Sequence, residues 1–428
     1  MSEPTKKALV PMLRFPEFLD AGDWENKKFG EMCKFVRGPF GGALKKDIFV
    51  KDGYAVYEQS HAIYQNFDSF RYFIAEEKYN ELKRFSVRPN DIKMSCSGTM
   101  GKFAVIPKEP KKGVINQALL KLTVNNGYNL DFVKFTLELP INQEKLLSQS
   151  AGGAIKNVVG VGEMKEIEMS IPSFNEQQKI AACLSSLDEL ITAQDQKLAT
   201  LKAHKKGLMQ QLFPAEGETV PKLRFPEFRD AGDWGERQLS QLTTKISDGI
   251  HTTPVYDENG EYAFINGNNL VNGRILIDEK TKRVDFGEFN KHQKPLDDNS
   301  ILMSINGTIG NLAFFRSEQV ILGKSACFIN IDSRLANKFF IYNMLQTDKV
   351  KHFFTSELTG STIKNLSLAT IKNIELKVPA LPEQQKIADC LSSLDYLITT
   401  QAQKLAALKA HKKGLMQQLF PAVDEVAE

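Results

Sequence analysis

Apolar residues return at alternating intervals of four and three along two stretches of this chain. Ile180, Leu184, Leu187, Ile191, Gln194, Leu198, Leu201, Lys205, Leu208 and Leu212 form one stripe; Ile387, Leu391, Leu394, Ile398, Gln401, Leu405, Leu408, Lys412, Leu415 and Leu419 form the other. Repetition every 3.5 residues or so is the seam of a coiled coil. Pro172 and Pro379 precede the stretches and Pro214 and Pro421 follow them, where a helix cannot continue. Each predicted helix is roughly 57 Å long at 1.5 Å per residue. A helix of that length with one narrow apolar stripe needs a partner, and the other copy supplies a matching one. An intramolecular coiled coil is expected, and a two-fold arrangement of equivalent halves requires its helices to be antiparallel. Gln194 and Gln401 interrupt the stripe, where a polar residue either fixes register or sits at the wet edge.

The two stretches are copies. Residues 176–213 and 383–420 are identical at 33 of 38 positions, and a second unit, residues 10–24, returns as residues 220–234 with 13 of 15 positions the same. Outward positions such as Gln177, Gln178, Gln384 and Gln385 are unchanged although packing does not demand it. That suggests one kind of partner docking twice; recent duplication explains it equally well. Lys202, His204, Lys205 and Lys206 near the end of the first helix suit the negative end of its dipole.

Between the copied parts lie two inserts that have diverged. Runs at 55–57, 102–106 and 118–124, then at 262–265, 300–305 and 326–331, predict strands, and helical stretches are expected at 131–147 and 336–354. The expected fold class is α+β: two globular domains of mixed helix and sheet, separated by two long helices that form an antiparallel coiled coil, with a pseudo-two-fold, circular organisation. The expected divisions are 1–24 for an N-terminal segment completing the frame, 25–172 for the first domain and 173–214 for the central helix. Residues 215–234 are a linker and frame segment, 235–379 the second domain, 380–421 the C-terminal helix and 422–428 a tail.

Some chemistry recurs in both inserts. Ser95 to Lys102 (SCSGTMGK) aligns with Ser304 to Asn311 (SINGTIGN), and Lys156-Asn157 with Lys364-Asn365. The G-T-x-G segments read either as Gly-rich loops whose amides and threonines, Thr99 and Thr308, approach phosphates, or as ordinary tight hairpins. The second insert adds His251, Thr252 and Thr253, then Asn266, Asn268 and Asn269, with Asn306 and Lys324 nearby. The corresponding region of the first is Arg37 to Gly42 with Tyr57, Gln59, Ser60 and His61, and Ser97, Lys45, Lys46 and Lys102 extend its polar and basic set. Amide side chains pair with adenine and basic ones with guanine, so such loops suit reading of base edges. Polar loops are also common as solvated turns.

Composition narrows the classes without choosing one. With 428 residues, 42% apolar and 25% charged, the chain supports two or three cores. Its formal charge of +3 neither establishes nor excludes DNA, although residues 25–170 carry 22 Lys and Arg against 17 Asp and Glu while 235–377 carry 17 against 16. No apolar run reaches the ~18 residues of a membrane span and no secretory signal is evident, so a cytoplasmic location is expected. Cys33, Cys96, Cys183, Cys327 and Cys390 contain no CxxC pair, so no metal site is expected. Gly323-Lys324-Ser325 resembles the end of a phosphate-binding loop, but Glu318 stands where its first glycine is required. HExxH, GxSxG and the Asn/Asp-Pro-Pro-Tyr/Phe motif of adenine methyltransferases are missing. A binder rather than a catalyst is expected, with no catalytic residue and no cofactor of its own.

Two divergent domains alternating with near-identical helices, each opening Glu-Gln-Gln-Lys-Ile-Ala (176–181 and 383–388), with the frame segment Leu-Arg-Phe-Pro-Glu-Phe and the G-T-x-G loops, resemble the specificity subunit of type I restriction-modification systems. The resemblance covers essentially the whole chain. It implies that each insert is a target recognition domain reading one half of a split, asymmetric double-stranded DNA site, and that the helices set the spacer. It further implies two methyltransferase subunits docked on the helices, through such residues as Gln177, Gln178, Gln384 and Gln385, with restriction and motor subunits joining them. S-adenosylmethionine, ATP and Mg2+ would belong to those partners. A stand-alone DNA-binding regulator is the alternative, and a nuclease or methyltransferase in its own right would need a constellation the sequence does not show.

Overall fold

The computed structural model describes residues 9–40, 42–149, 156–158, 160–358 and 364–421, with 148, 149 and 156–158 as backbone only. The chain divides into two units. One gathers Met1–Gln194 with Lys404–Glu428, and the other is Asp195–Gln403. Each long helix is therefore shared between them: Phe174–Leu212, the central helix, and Leu381–Leu419, the C-terminal helix.

In the first unit a four-stranded antiparallel sheet runs in the order Cys33–Arg37, Leu119–Val124, Ile92–Ser95, Phe103–Val105. A second sheet contains Tyr54–Tyr57 paired in parallel with Gly113–Ile115. The second unit repeats both arrangements: Thr243–Asp248, Ala326–Ile331, Ser300–Ser304, Leu312–Phe314 in one sheet, and Tyr262–Ile265 parallel to Val320–Leu322 in the other. Divergent inserts thus keep one topology. The strands Ile92–Ser95, Ser300–Ser304 and Ala326–Ile331 are buried at every residue, because sheet covers one face and helix the other.

The expected helical stretches are each broken in two. Pro140 opens a new helix, Pro140–Leu146, after Leu130–Glu138, since its ring cannot continue the preceding turn. In the second unit Lys338–Met344 is followed by Asp348–Ser356, with Thr347 extended between them.

Two aromatic triads join frame, domain and helix end. Trp24 lies edge-on to Phe132 and Phe420 at 5.8 and 5.9 Å between ring centroids, and Trp234 meets Phe340 and Phe213 at 5.7 and 6.4 Å. Burial of such a side chain contributes ~1.5–3 kcal/mol. The frame also bonds to the helix ends: Leu13 N–H donates to Gln418 O and Leu223 N–H to Gln211 O, both at 2.9 Å. Both ends of the described chain therefore meet in the first unit, and the second makes the same junction from internal residues.

Within each unit the helix halves run antiparallel. In the first, Ile180 and Leu184 share a core with Leu415 and Leu419, while farther along Asp188 binds Lys412 Nζ at 2.5 and 2.7 Å. In the second, Ile387 and Leu391 share a core with Leu208 and Leu212, and Asp395 binds Lys205 Nζ at 2.7 Å through both oxygens. The lysines of the apolar stripe thus carry ion pairs between helices, a role beyond dipole compensation. Gln401 is buried and Gln194 half-buried.

Candidate nucleic-acid interface

Both G-T-x-G segments are hairpin tips. The Ser95 hydroxyl donates to Thr99 O at 2.7 Å and accepts from Lys102 N–H at 3.0 Å, and Gly101 N–H donates to Ser95 O at 2.9 Å. Ser304 repeats this with Thr308 O, Asn311 N–H and Gly310 N–H. Gly98 and Gly307 take positive φ of 59° and 71°, open to glycine at no steric cost. The buried serine ties the turn from within, leaving Ser97, Thr99, Thr308 and Lys102 exposed.

In the second unit these tips join residues distant in sequence. Asn306 forms a bridge with Asn365 and donates its amide to Lys324 O at 3.4 Å, while Leu366 N–H donates to Ile305 O. Next to Lys324, the Ser325 hydroxyl donates to Asn266 Oδ1 at 2.8 Å, and Ile250 N–H donates to Leu322 O at 2.7 Å. Asn306, Thr308, Lys324, Lys364 and Asn365 thereby share one lip with His251 and the Asn266–Asn269 turn. Lys324, Lys364, Asn268, His251, Thr252 and Thr253 are exposed on it. His251 Nε2 lies 2.7 Å from Asp248 Oδ2. Asn266 and Asn269 are occupied otherwise: Asn269 Oδ1 accepts from Asn266 N–H and its Nδ2 donates to Leu276 O, both at 2.9 Å. They shape the turn that carries Asn268, and Asn269, with both ends of its amide bonded within the turn, is withdrawn as a reader of bases.

The first unit builds a similar lip. Asn116 N–H donates to Tyr57 O, Gly38 N–H to Leu119 O, and Glu58, Gln59, Ser60, His61, Ser69, Arg71, Asn116 and Ala118 line a cleft beside them. Arg71 and Asn116 carried no sequence signal, because only tertiary pairing brings them to Gln59. Arg37 is exposed at the end of its strand. Burial pushes the adjacent Cys96 thiol up to about 11, opposed by the Arg37 guanidinium. Lys45 and Lys46 are exposed where the turn Lys46–Ile48 leads into the second sheet. The side chains of Lys156 and Asn157 lie outside the described residues; their backbone belongs to a strand paired with Leu147–Gln149.

Two expected readers belong to the core. Tyr57 is fully buried, its hydroxyl donating to Lys111 O at 2.7 Å. His61 is 5% exposed and stacks on Phe70 at 4.8 Å, with Nδ1 accepting from Glu58 N–H at 2.9 Å and Nε2 at 3.0 Å from Ser69 O. Tyr57 lies beneath the cleft, while His61 reaches its wall beside Gln59 and Ser60 with both ring nitrogens already bonded within the fold.

The docking glutamines divide in the same way. Gln177 and Gln384, expected to face outward, are buried. Gln177 Oε1 accepts from Asn129 N–H and Gln384 Oε1 from Asn337 N–H, each at 2.9 Å, and both amides donate back to the proline carbonyls of Pro172 and Pro379. Asn129 and Asn337 are helix N-caps. These glutamines therefore fasten each domain to its long helix. Gln178 and Gln385 remain exposed, and Gln385 accepts from Asn337 Nδ2 at 2.7 Å.

Among the described residues no group of three or more His, Cys, Asp or Glu could hold a metal ion, and no helix is long and apolar enough to cross a membrane. Burial pushes the Cys33 and Cys327 thiols up to about 12, which disfavours the reactive thiolate.

Residues 21–203 and 231–410 each match the family model described as the type I restriction modification DNA specificity domain. The Type I restriction enzyme MjaVIII specificity subunit of Methanocaldococcus jannaschii is 24% identical over 419 residues, covering 95% of this chain and 93% of its own. The putative type I restriction enzyme MjaX specificity subunit of the same organism is 23% identical, with 93% of each chain covered. Among solved structures, the type I restriction-modification S subunit from M. genitalium shares the fold at a TM-score of 0.62 and 16% identity, covering 97% of this chain and 100% of that one. A chain solved in work on complex assembly and conformational transition of the type I system reaches 0.52 at 14% identity, covering 93% and 98%.

Proposed function

Because this chain belongs to the type I restriction-modification DNA specificity family, we propose that it is the subunit that selects the DNA site for a type I complex and carries no catalytic residue of its own. Each recognition domain reads one half of a bipartite, asymmetric duplex site, and the two long helices set the spacer. Two methyltransferase subunits and the restriction and motor subunits act where this chain directs them, bringing S-adenosylmethionine, ATP and Mg2+. The assembly works in the cytoplasm.

The observation that carries this reading is one fold built twice with two different polar lips. Asn268, His251, Lys324 and Lys364 line one lip, and Arg37, Gln59, Ser60 and Ser97 the other, while the frames beneath keep the same hydrogen bonds. Identical mounts and unlike heads suit two equivalent enzyme positions and a non-palindromic sequence. Exposed Thr99, Thr308, Lys102 and Lys364 are placed among the phosphate contacts, which position without specifying. Co-expression with the neighbouring genes, followed by methylation-sensitive sequencing of the host genome, tests this directly. A modified split motif with two unlike halves is expected. Recovery of the chain bound to DNA without any methyltransferase would favour the stand-alone regulator instead.

A further inference from the structure

The most exposed aromatic ring of the first recognition domain is Phe40, 94% accessible. It stands two residues beyond Gly38, whose N–H donates to Leu119 O at 2.9 Å and whose missing side chain is obligatory: a Cβ there would lie 1.8 Å from Asn116 O. The root of this loop is thus pressed against the backbone of Asn116, which also lines the Gln59 and Ser60 cleft. The second domain repeats the construction. Asp248 faces Cys327 as Arg37 faces Leu120, Gly249 N–H donates to Ala326 O at 2.9 Å, and a Cβ on Gly249 would lie 2.2 Å from Leu322 O. Two residues beyond that glycine stands His251, its side chain 71% exposed. Two heads that share little sequence therefore hold a ring at one place, on a root that tolerates only glycine.

The rings differ in what they can do. His251, beside Asp248, offers hydrogen bonds to a base edge or a phosphate. Phe40 offers none, so it cannot take part in the donor and acceptor code of the groove. A phenyl ring presented to a duplex gains by leaving water against the face of a base, as apolar wedges do when they part a base step. We propose that Phe40 inserts between adjacent base pairs of the first half-site, making that half-site sensitive to how easily one step unstacks as well as to its base edges. This rests on the DNA-recognition reading above and adds a specificity-determining residue to it. Flexible pyrimidine–purine steps, the easiest to part, are the sequence class it favours.

The test uses the full chain with the partners that co-purify, on duplexes carrying the host's modified motif and 2-aminopurine placed at successive positions in both halves. With the native chain, one position of the first half-site other than the methylated adenine is expected to brighten on binding. Phe40→Ala should abolish that signal and weaken binding roughly tenfold or more, in line with the loss of one base–aromatic stack, whereas Phe40→Trp should retain it. No brightening outside the methylated adenine, or the same brightening with Phe40→Ala, overturns the wedge while leaving DNA recognition standing. Native chain that prefers no motif overturns both.

Discussion

Arg14 grips Glu176 through two arms of its guanidinium, Nε to Oε1 at 2.8 Å and Nη2 to Oε2 at 2.7 Å, and its third nitrogen donates to Gly22 O at 2.7 Å. Arg224 and Glu383 repeat the grip at the same distances, and each carboxylate also accepts an indole N–H at 3.3 Å, from Trp24 and Trp234. The frame segment and the first turn of the helix that follows its domain are thereby locked together. With Arg14 and Glu176 side chains 5% and 1% exposed, neither charge has water as an alternative partner.

Removing one member strands the other. Arg14→Ala and Glu176→Ala are each expected to destabilise the first unit by about 3–5 kcal/mol, and the double variant by clearly less than their sum. Denaturant unfolding of the four chains measures the coupling. Strict additivity would mean that the grip contributes nothing specific.

Lys93 is fully buried with Nζ 3.0 Å from the centre of the Tyr57 ring and no hydrogen-bond partner. Burial holds its pKa well below the ordinary lysine value, against the pull of Asp91. The unfolded chain therefore takes up a proton as pH falls through 10.5 and the folded chain does not, so stability attributable to this site is fullest above that pH and declines below it. Two residues before the hairpin serine, the second unit has Leu302 instead. Lys93→Met should stabilise the protein by about 1–3 kcal/mol near neutrality, with the gain fading as pH rises toward 10.5. Thermal melts across that range check the trend, and a gain independent of pH would refute it.

Gln177 and Gln384 act inside the fold, whereas Gln178 and Gln385 face solvent. Gln177→Ala should lower stability by about 1–3 kcal/mol by leaving the Asn129 N–H unsatisfied. Gln178→Ala and Gln385→Ala should leave stability within about 0.5 kcal/mol and weaken co-purification of methyltransferase if they lie at its docking site. Unfolding midpoints and pull-down yields, read together, separate the two roles.

Exchange of residues 25–172 for another family member's domain should alter one half of the modified motif. Gly249→Ala, which drives a Cβ into Leu322 O, should disable the other half alone. Sequencing of modified sites reports both, and a change in both halves from either substitution would refute the division of labour.

Deleting seven residues from each long helix keeps the apolar stripe in phase and should change the spacer while both half-sites persist. If the identity of a half-site moves instead, the helices do not set the spacing.

The local signals were strong where the chemistry is local. A 3.5-residue repeat needs no distant contact to specify a helix, so both long helices were legible nearly to their ends, Phe174–Leu212 and Leu381–Leu419. Strands such as Leu119–Val124, Ser300–Ser304 and Ala326–Ile331 were legible as apolar runs, whereas their neighbours Cys33–Arg37, Ile92–Ser95 and Thr243–Asp248, with polar residues among the apolar ones, were not singled out. Pro140 shows where periodicity failed, since apolar spacing continued across a break imposed by one ring.

What the sequence determined by itself was the repetition: two copies of a frame, two helices and two unlike inserts, and with them the family. Only tertiary structure decided which polar side chains are available. Tyr57 and His61 read as recognition residues yet are buried, and Gln177 and Gln384 read as a surface yet hold the N-cap residue of a neighbouring helix, because burial depends on what packs against an element from elsewhere in the chain. The lips show the same dependence, each assembled from loops far apart in sequence that strand pairing brings together. Gly38 and Gly249 were visible as glycines, but the carbonyls of Asn116 and Leu322 that make them obligatory came into view only with the fold.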